Sequence, residues 1–258
     1  MIKTLSLFAL ALLLMIACGD ETTEDFQLED TQTYTWSAAG MNQIIGITVN
    51  GDITVIAVQE TTITAVVTRI CIAEDSTTAA LHIDDIVVVD TVSNNILTLE
   101  ADFPDTTPEN IDLAANFDFT CPEQLFLDLA IVNGSASLSD MIAGADIGIV
   151  NGSLTMDNCQ GSIVGTLVNG SIDCDLSALA AADSAILTVT NGDITLSLPS
   201  DVSATFDAFT GNGTVTVTGF ASVSYTTDES NHKAGTIGGG GGMIDLQATN
   251  GDIILQAR

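Results

Sequence analysis

Positive charge is what this chain has least of: Lys3, Arg69, Lys233 and Arg258 stand against 34 Asp and Glu in 258 residues. Binding to nucleic acid or to anionic lipid head groups rests on clustered Lys and Arg, so nucleic acid is excluded as a partner. Lyases acting on acidic sugars need basic groups beside the substrate carboxylate, and the same scarcity argues against them. Beyond the first twenty residues no stretch approaches about 18 uninterrupted apolar residues, so the mature chain is not expected to span a membrane as a helix. There is no Cys-x-x-Cys pair, and His82 and His232 lie far from the cysteines in sequence, which speaks against zinc. No Gly-x-Ser-x-Gly frame exists for a nucleophile elbow. Hydrolase-like carboxylate pairs are inevitable among so many acids, but none stands in a distinctive motif. Neither catalytic nor metal-binding residues are assigned from the sequence, and no catalysis is expected.

What is present begins with "MIKTLSLFALALLLMIACGD". Lys3 and the apolar run from Leu5 to Ile16 have the length of a secretory h-region. "MIAC" resembles the lipobox of bacterial lipoproteins, which implies cleavage after residue 17 and lipidation of Cys18. The protein is then expected at the bacterial envelope, held to the membrane by its lipid, with the outer membrane favoured in a two-membrane cell. Residues 18–33 are rich in acids (Asp20, Glu21, Glu24, Asp25, Glu29, Asp30) and read as a disordered tether. The high negative charge is adequately explained as keeping a repetitive β protein soluble, with calcium binding as a sharper alternative.

Four cysteines follow Cys18: Cys71, Cys121, Cys159 and Cys174. An even number in an exported chain points to disulfides, with three possible pairings. Cys71–Cys121 and Cys159–Cys174 are favoured because each pair stays within one half of the chain.

The dominant pattern is a repeated Asn-Gly, at Asn50, Asn133, Asn151, Asn169, Asn191, Asn212 and Asn250. From Asn133 the successive gaps are 18, 18, 22, 21 and 38, the last close to two turns of 19. Between the pairs, segments such as "DITLSLP" and "GTVTVTGF" alternate with period two, as strands with one buried face do. A meander of hairpins would place turns every 8–12 residues; one motif recurring near 20 at a fixed phase suits stacked rungs instead. The fold expected is an all-β, single-stranded β-solenoid, with rungs of 18–22 residues over 129–258. Its corners would be Asn133-Gly134, Asn151-Gly152, Asn169-Gly170, Asn191-Gly192 and Asn250-Gly251, with the Asn amides hydrogen-bonded along the stack. Ser135, Ser153 and Ser171 follow three consecutive corners, where stacked carboxylates like Asp52, Asp193 and Asp252 would repel. Residues 34–128 are less regular and are expected to cap the stack within the same continuous domain. There "EDSTTAALHIDDI" predicts a short helix capped by Ser76 or Thr77. The run Gly238–Gly242 reads as a flexible loop, lacking the Lys-Ser/Thr of a phosphate cradle.

"GITVNGDITVIAV", "TNGDITLSLPSDVSATFDAFTGNGTVTVTGF" and "TIGGGGGMIDLQATNGDIILQAR" resemble the bacterial putative-adhesin family from about residue 40 to 258. The resemblance implies a β-solenoid fold and an envelope location, and it carries over no catalytic residues. The expected role is structural, adhesive or ligand-binding, with an envelope protein or a glycan laid along a flat face. Calcium-binding β-rolls use Gly-Gly-x-Gly-x-Asp repeats, which are absent. Regular Thr arrays of the ice-binding kind are also absent, because the Thr positions vary between rungs.

Overall fold

The computed structural model describes residues 25–258. The signal segment, Cys18 and the first part of the tether lie outside the described residues. The described chain is all-β apart from one short helix and one 3-10 turn.

Alternating apolar and polar residues make strands that bury one face, and here two such faces close on each other. The repeating unit is a strand in one sheet, an Asn-Gly corner, and a strand in the facing sheet. Along the chain these units are β2 (Gln43–Asn50) with β3 (Ile53–Val58), β8 (Phe126–Asn133) with β9 (Ala136–Ser139), and β10 (Ala145–Asn151) with β11 (Leu154–Cys159). They continue as β12 (Ile163–Asn169) with β13 (Ile172–Leu176), β14 (Ser184–Asn191) with β15 (Ile194–Leu198), β16 (Ala204–Asn212) with β17 (Val215–Thr218), and β20 (Gly242–Asn250) with β21 (Ile253–Ala257). An eighth unit, β6 (Ile96–Asp102) with β7 (Asp112–Pro122), lacks an Asn-Gly corner. Neighbouring units pair in parallel in both sheets, like slices in a rack.

The order of the slices is not the order of the chain. The sheet holding the first strand of each unit runs β16, β20, β14, β12, β10, β8, β2, β6. The facing sheet runs β17, β21, β15, β13, β11, β9, β3, β7. The first unit, β2–β3, therefore sits between β6–β7 and β8–β9, and the last, β20–β21, sits between β14–β15 and β16–β17. This corrects the expectation of a single-stranded coil advancing one rung at a time: the molecule is a two-sheet stack with two units inserted out of sequence. The 38-residue gap does not span two successive turns. It holds the hairpin β18 (Val223–Asp228) and β19 (His232–Ile237), which extends one sheet antiparallel to β16 before the chain doubles back.

Three more strands extend the other end antiparallel: β1 (Phe26–Ser37) and β4 (Thr62–Ala73) beyond β7, and β5 (Val87–Ser93) beyond β6. The tether expected over 18–33 is corrected accordingly, since Phe26 onward is strand. Its even positions Phe26, Leu28, Tyr34 and Trp36 turn toward the core, enough apolar burial to outweigh the acids between them. The helix α1 (Ser76–His82) packs on β1 and β4. Its cap is Asp75, which accepts from the amides of Thr77 and Thr78, not Ser76 or Thr77 as expected. Position 128/129 falls inside β8, so the irregular and regular portions share both sheets.

The core between the sheets is built from ladders of like side chains. Leu154, Ile172, Ile194 and Ile253 stack on successive units of one sheet, and Ile147, Leu187 and Leu246 line the other. Glycine takes the inward position between them on β12, where a Cβ on Gly165 would lie 3.0 Å from Leu187 and 3.1 Å from Leu154.

Candidate interaction face and the asparagine ladder

The Asn-Gly corners form a column along one side of the stack. Each Asn side-chain amide donates to the Oδ1 of the next: Asn212 to Asn250 at 2.9 Å, then Asn250 to Asn191, Asn191 to Asn169, Asn169 to Asn151, Asn151 to Asn133 and Asn133 to Asn50, all at 2.8 Å. Asn50 ends the ladder by donating to the Leu113 carbonyl. The ladder expected from the sequence is present at every corner named for it, with Asn50 and Asn212 added at its ends. Beside it, each corner glycine except Gly213 at the end of the column donates its amide to the Asn carbonyl of a neighbouring unit, as Gly152 does to Asn169 at 3.0 Å and Gly192 to Asn250 at 2.9 Å. These glycines have φ between +134° and +155°, and a Cβ on Gly170 would lie 1.7 Å from the Gly152 carbonyl oxygen. Only glycine fits such a corner, for backbone shape and for space alike.

The residue after each glycine forms a third column, in the order Thr214, Asp252, Asp193, Ser171, Ser153, Ser135, Asp52. Asp193 and Asp252 are thus neighbours, which corrects the idea that serines keep carboxylates off adjacent units. The carboxylates are accommodated because each accepts a main-chain amide from the next unit: Asp252 N donates to Asp193 Oδ1 at 2.8 Å, and Thr214 N to Asp252 Oδ1 at 2.7 Å. Ser135 donates its amide in the same way to Asp52, at 2.7 Å.

The cysteines do not form the expected disulfides; all four are buried free thiols. Cys71 pairs with Leu113 across β4 and β7, and Cys121 lies eight residues further along β7, roughly 26 Å away. Bridging requires Cα atoms within about 7 Å. Cys174 stands opposite Met156, not Cys159, and its thiol donates to the Met156 sulfur at 3.8 Å. Cys159 turns instead to the carbonyls of Asp157 and Leu138. Burial raises all four thiol pKa values above the ordinary range, that of Cys121 to about 12.

Among the described residues no group of three or more His, Cys, Asp or Glu is placed to hold a metal ion. His82 contacts Asp85 and His232 contacts Asp207, each at the surface. The three Lys and Arg side chains among the described residues are all committed to carboxylates: Arg69 to Asp30 and Asp84, Lys233 to Asp228, Arg258 to Asp175. No helix among the described residues is long and apolar enough to cross a membrane.

One surface feature was missed from the sequence. The residue preceding Asn in four adjacent units is valine, and Val49, Val132, Val150 and Val168 are 41%, 39%, 40% and 40% exposed. The in-register pairs on either side place them in one row, on β2, β8, β10 and β12, about 14 Å long at the strand spacing. The next outward row is Ile47, Ala130, Gly148 and Thr166, so three of the four valines stand beside small side chains and Val49 stands beside Ile47. One row further, Asp128 stands opposite Asp146. Burial, and then the charge of Asp146, hold the Asp128 carboxyl above its usual pKa. The recurring "VNG" words carry this row in the sequence.

Residues 39–256 fit the family described as Toastrack DUF4097. The chain belongs to the Toastrack family. Among solved structures, a putative cell adhesion protein from Clostridium sporogenes is similar, with 13% identity and a TM-score of 0.54, covering 89% of this chain and 100% of that one. A putative adhesin from Bacteroides fragilis shows 10% identity and a TM-score of 0.34, covering 89% of this chain and 97% of that one. No curated protein matches. At such identities the Clostridium structure supports the Toastrack fold alone, and the family name itself assigns no activity.

Proposed function

We propose that this Toastrack protein is a non-catalytic, adhesin-like envelope module, anchored through lipid on Cys18, that contacts an envelope protein or glycan with the flat face bearing the valine row. The observation that carries this reading is the row itself. Four β-branched side chains about 40% exposed, in register on adjacent strands and flanked by small residues on three of those strands, offer a continuous apolar strip on a strongly acidic protein. Contact is expected to be with uncharged or positively charged surfaces, since the described basic side chains are all paired. The exported form begins at Cys18.

The test is capture from envelope extracts by the unlipidated chain beginning at Gly19, compared with Val150→Asp/Val168→Asp. The unaltered chain is expected to retain a protein or glycan that the double variant, folded by circular dichroism, releases. Equal recovery by both chains would remove the valine row from the account. The anchor is tested separately by Cys18→Ala, which is expected to move the protein out of the membrane fraction.

A further inference from the structure

We infer that the unit β20–β21 is exchangeable, and that the slot it fills between β14–β15 and β16–β17 accepts the same unit from a second copy of this chain whenever the chain's own unit is kept out of it, giving a reciprocal dimer.

The inference starts from the stack order. Both walls of the slot precede the unit in the chain: β14 and β15 form one side, β16 and β17 the other, and the hairpin β18–β19 has already packed against β16. The contacts that seat the unit's corner are made to those walls. The Gly192 amide donates to the Asn250 carbonyl and the Gly251 amide to the Asn212 carbonyl, both at 2.9 Å. Ile194 donates to the Asp252 carbonyl at 3.0 Å and Ile253 to the Thr214 carbonyl at 2.9 Å. The side-chain ladder adds Asn250 to Asn191 and Asn212 to Asn250. None of these bonds depends on which chain supplies residues 242–257, so a second copy satisfies every one.

The connection permits the transfer. Gly238, Gly240 and Gly241 have φ of +60°, +76° and +156°, and a side chain on Gly239 would meet nothing within 4 Å. This glycine run turns the chain from β19, antiparallel to β16, into β20, parallel to it. Straightened, the same residues carry the unit away from its own slot. A flexible hinge of this length favours closure within one chain, whereas a hinge too short to turn back forces the unit outward. A formal charge of -30 keeps copies apart, so salt favours the exchanged dimer by screening.

Two full-length variants test this. The first lacks Gly239 and Gly240 and is compared with the unaltered chain by size-exclusion chromatography with light scattering in high salt. The unaltered chain is expected as a monomer and the shortened one as a dimer. The second keeps the hinge length but carries a specific protease site in place of the glycine run, prepared in light and isotopically heavy forms. The two are mixed in urea just below the unfolding midpoint, returned to buffer, cut, and weighed by native mass spectrometry. Heavy 242–258 peptide on light bodies supports exchange, even where the shortened chain fails to fold. Peptides that remain only on their own bodies overturn it, whatever dimers are seen.

Discussion

The side-chain amide of Asn250 donates to Asn191 Oδ1 at 2.8 Å, across 59 residues of sequence, while its own Oδ1 accepts from Asn212 at 2.9 Å. Asn250 therefore sits between two residues that precede it in the chain, and the last unit of the described chain is an interior slice. The main consequences of the fold follow from this kind of stacking, in which one corner chemistry repeats through seven units.

The corner glycines set the first prediction. Gly170→Ala forces a Cβ against the Gly152 carbonyl and holds a non-glycine residue at φ +134°, so it should cost more than about 3 kcal/mol or prevent folding. Gly148→Ala makes the opposite case. Its Cβ would meet nothing within 4 Å in mid-strand, and the substitution should stabilise by about 0.5 kcal/mol. Urea denaturation of both variants checks the pair; comparable losses would mean that the column is not as close as described.

The ladder should show position dependence. Asn191→Ala breaks two side-chain links, to Asn250 and to Asn169, whereas Asn212→Ala breaks only the one at the end of the column. With about 1 kcal/mol for each exposed amide link, the first variant should lose roughly twice as much as the second. Equal losses in thermal or urea melts would argue that water replaces the ladder at no cost.

Asp128 gives a pH signature. Its carboxyl pKa is raised by burial and by the charge of Asp146, so near and above the unfolded value the folded state holds the proton more tightly than the unfolded state does. Stability therefore falls as pH rises from the unfolded value, about 3.9, through the raised one, and the full cost remains at neutral pH. Asp128→Asn should accordingly stabilise at pH 7 by about 0.5 kcal/mol, a typical size for removing opposed like charges on adjacent strands. The gain should vanish in acid, well below the unfolded value, where Asp128 is protonated in the folded and unfolded states alike. Melts of the two proteins across that range decide it, and a gain that persists in acid would contradict the assignment.

The thiols give a chemical readout. All four are buried, and Cys121, with a pKa near 12, is on the order of one ten-thousandth thiolate at pH 8. A thiol-reactive disulfide reagent should leave the native chain from Gly19 untouched and label four cysteines once it unfolds. Fewer than four after unfolding would reveal a bridge that the strand register does not accommodate.

Much of this was legible in the sequence. The period of the Asn-Gly words gave the parallel stacking, the ladder and the all-β class, because a corner requiring glycine and an amide column leave local marks. The stack order left none. "TNGDITLSLP" and "TNGDIILQAR" have the same corner chemistry and fit any slot, so nothing near Asn250 says that its neighbours are Asn191 and Asn212. The serine argument failed for the same reason, since it assumed that sequence neighbours are spatial neighbours and so kept Asp193 away from Asp252. At the other end, the acids between Phe26 and Trp36 hid a period-two pattern that was there to be read. The disulfides were a compartment argument, and strand register, which sequence does not show, set the sulfurs apart.

The central claim is the insertion of β20–β21 between β14–β15 and β16–β17, and nuclear Overhauser contacts of the Asn250 side-chain amide in the isotopically labelled chain test it most directly. The account predicts cross-peaks from Asn250 to both Asn191 and Asn212, and none linking Asn191 directly to Asn212. Direct contact between Asn191 and Asn212, with Asn250 touching only one of them, would restore a coil that follows the sequence and contradict the fold described.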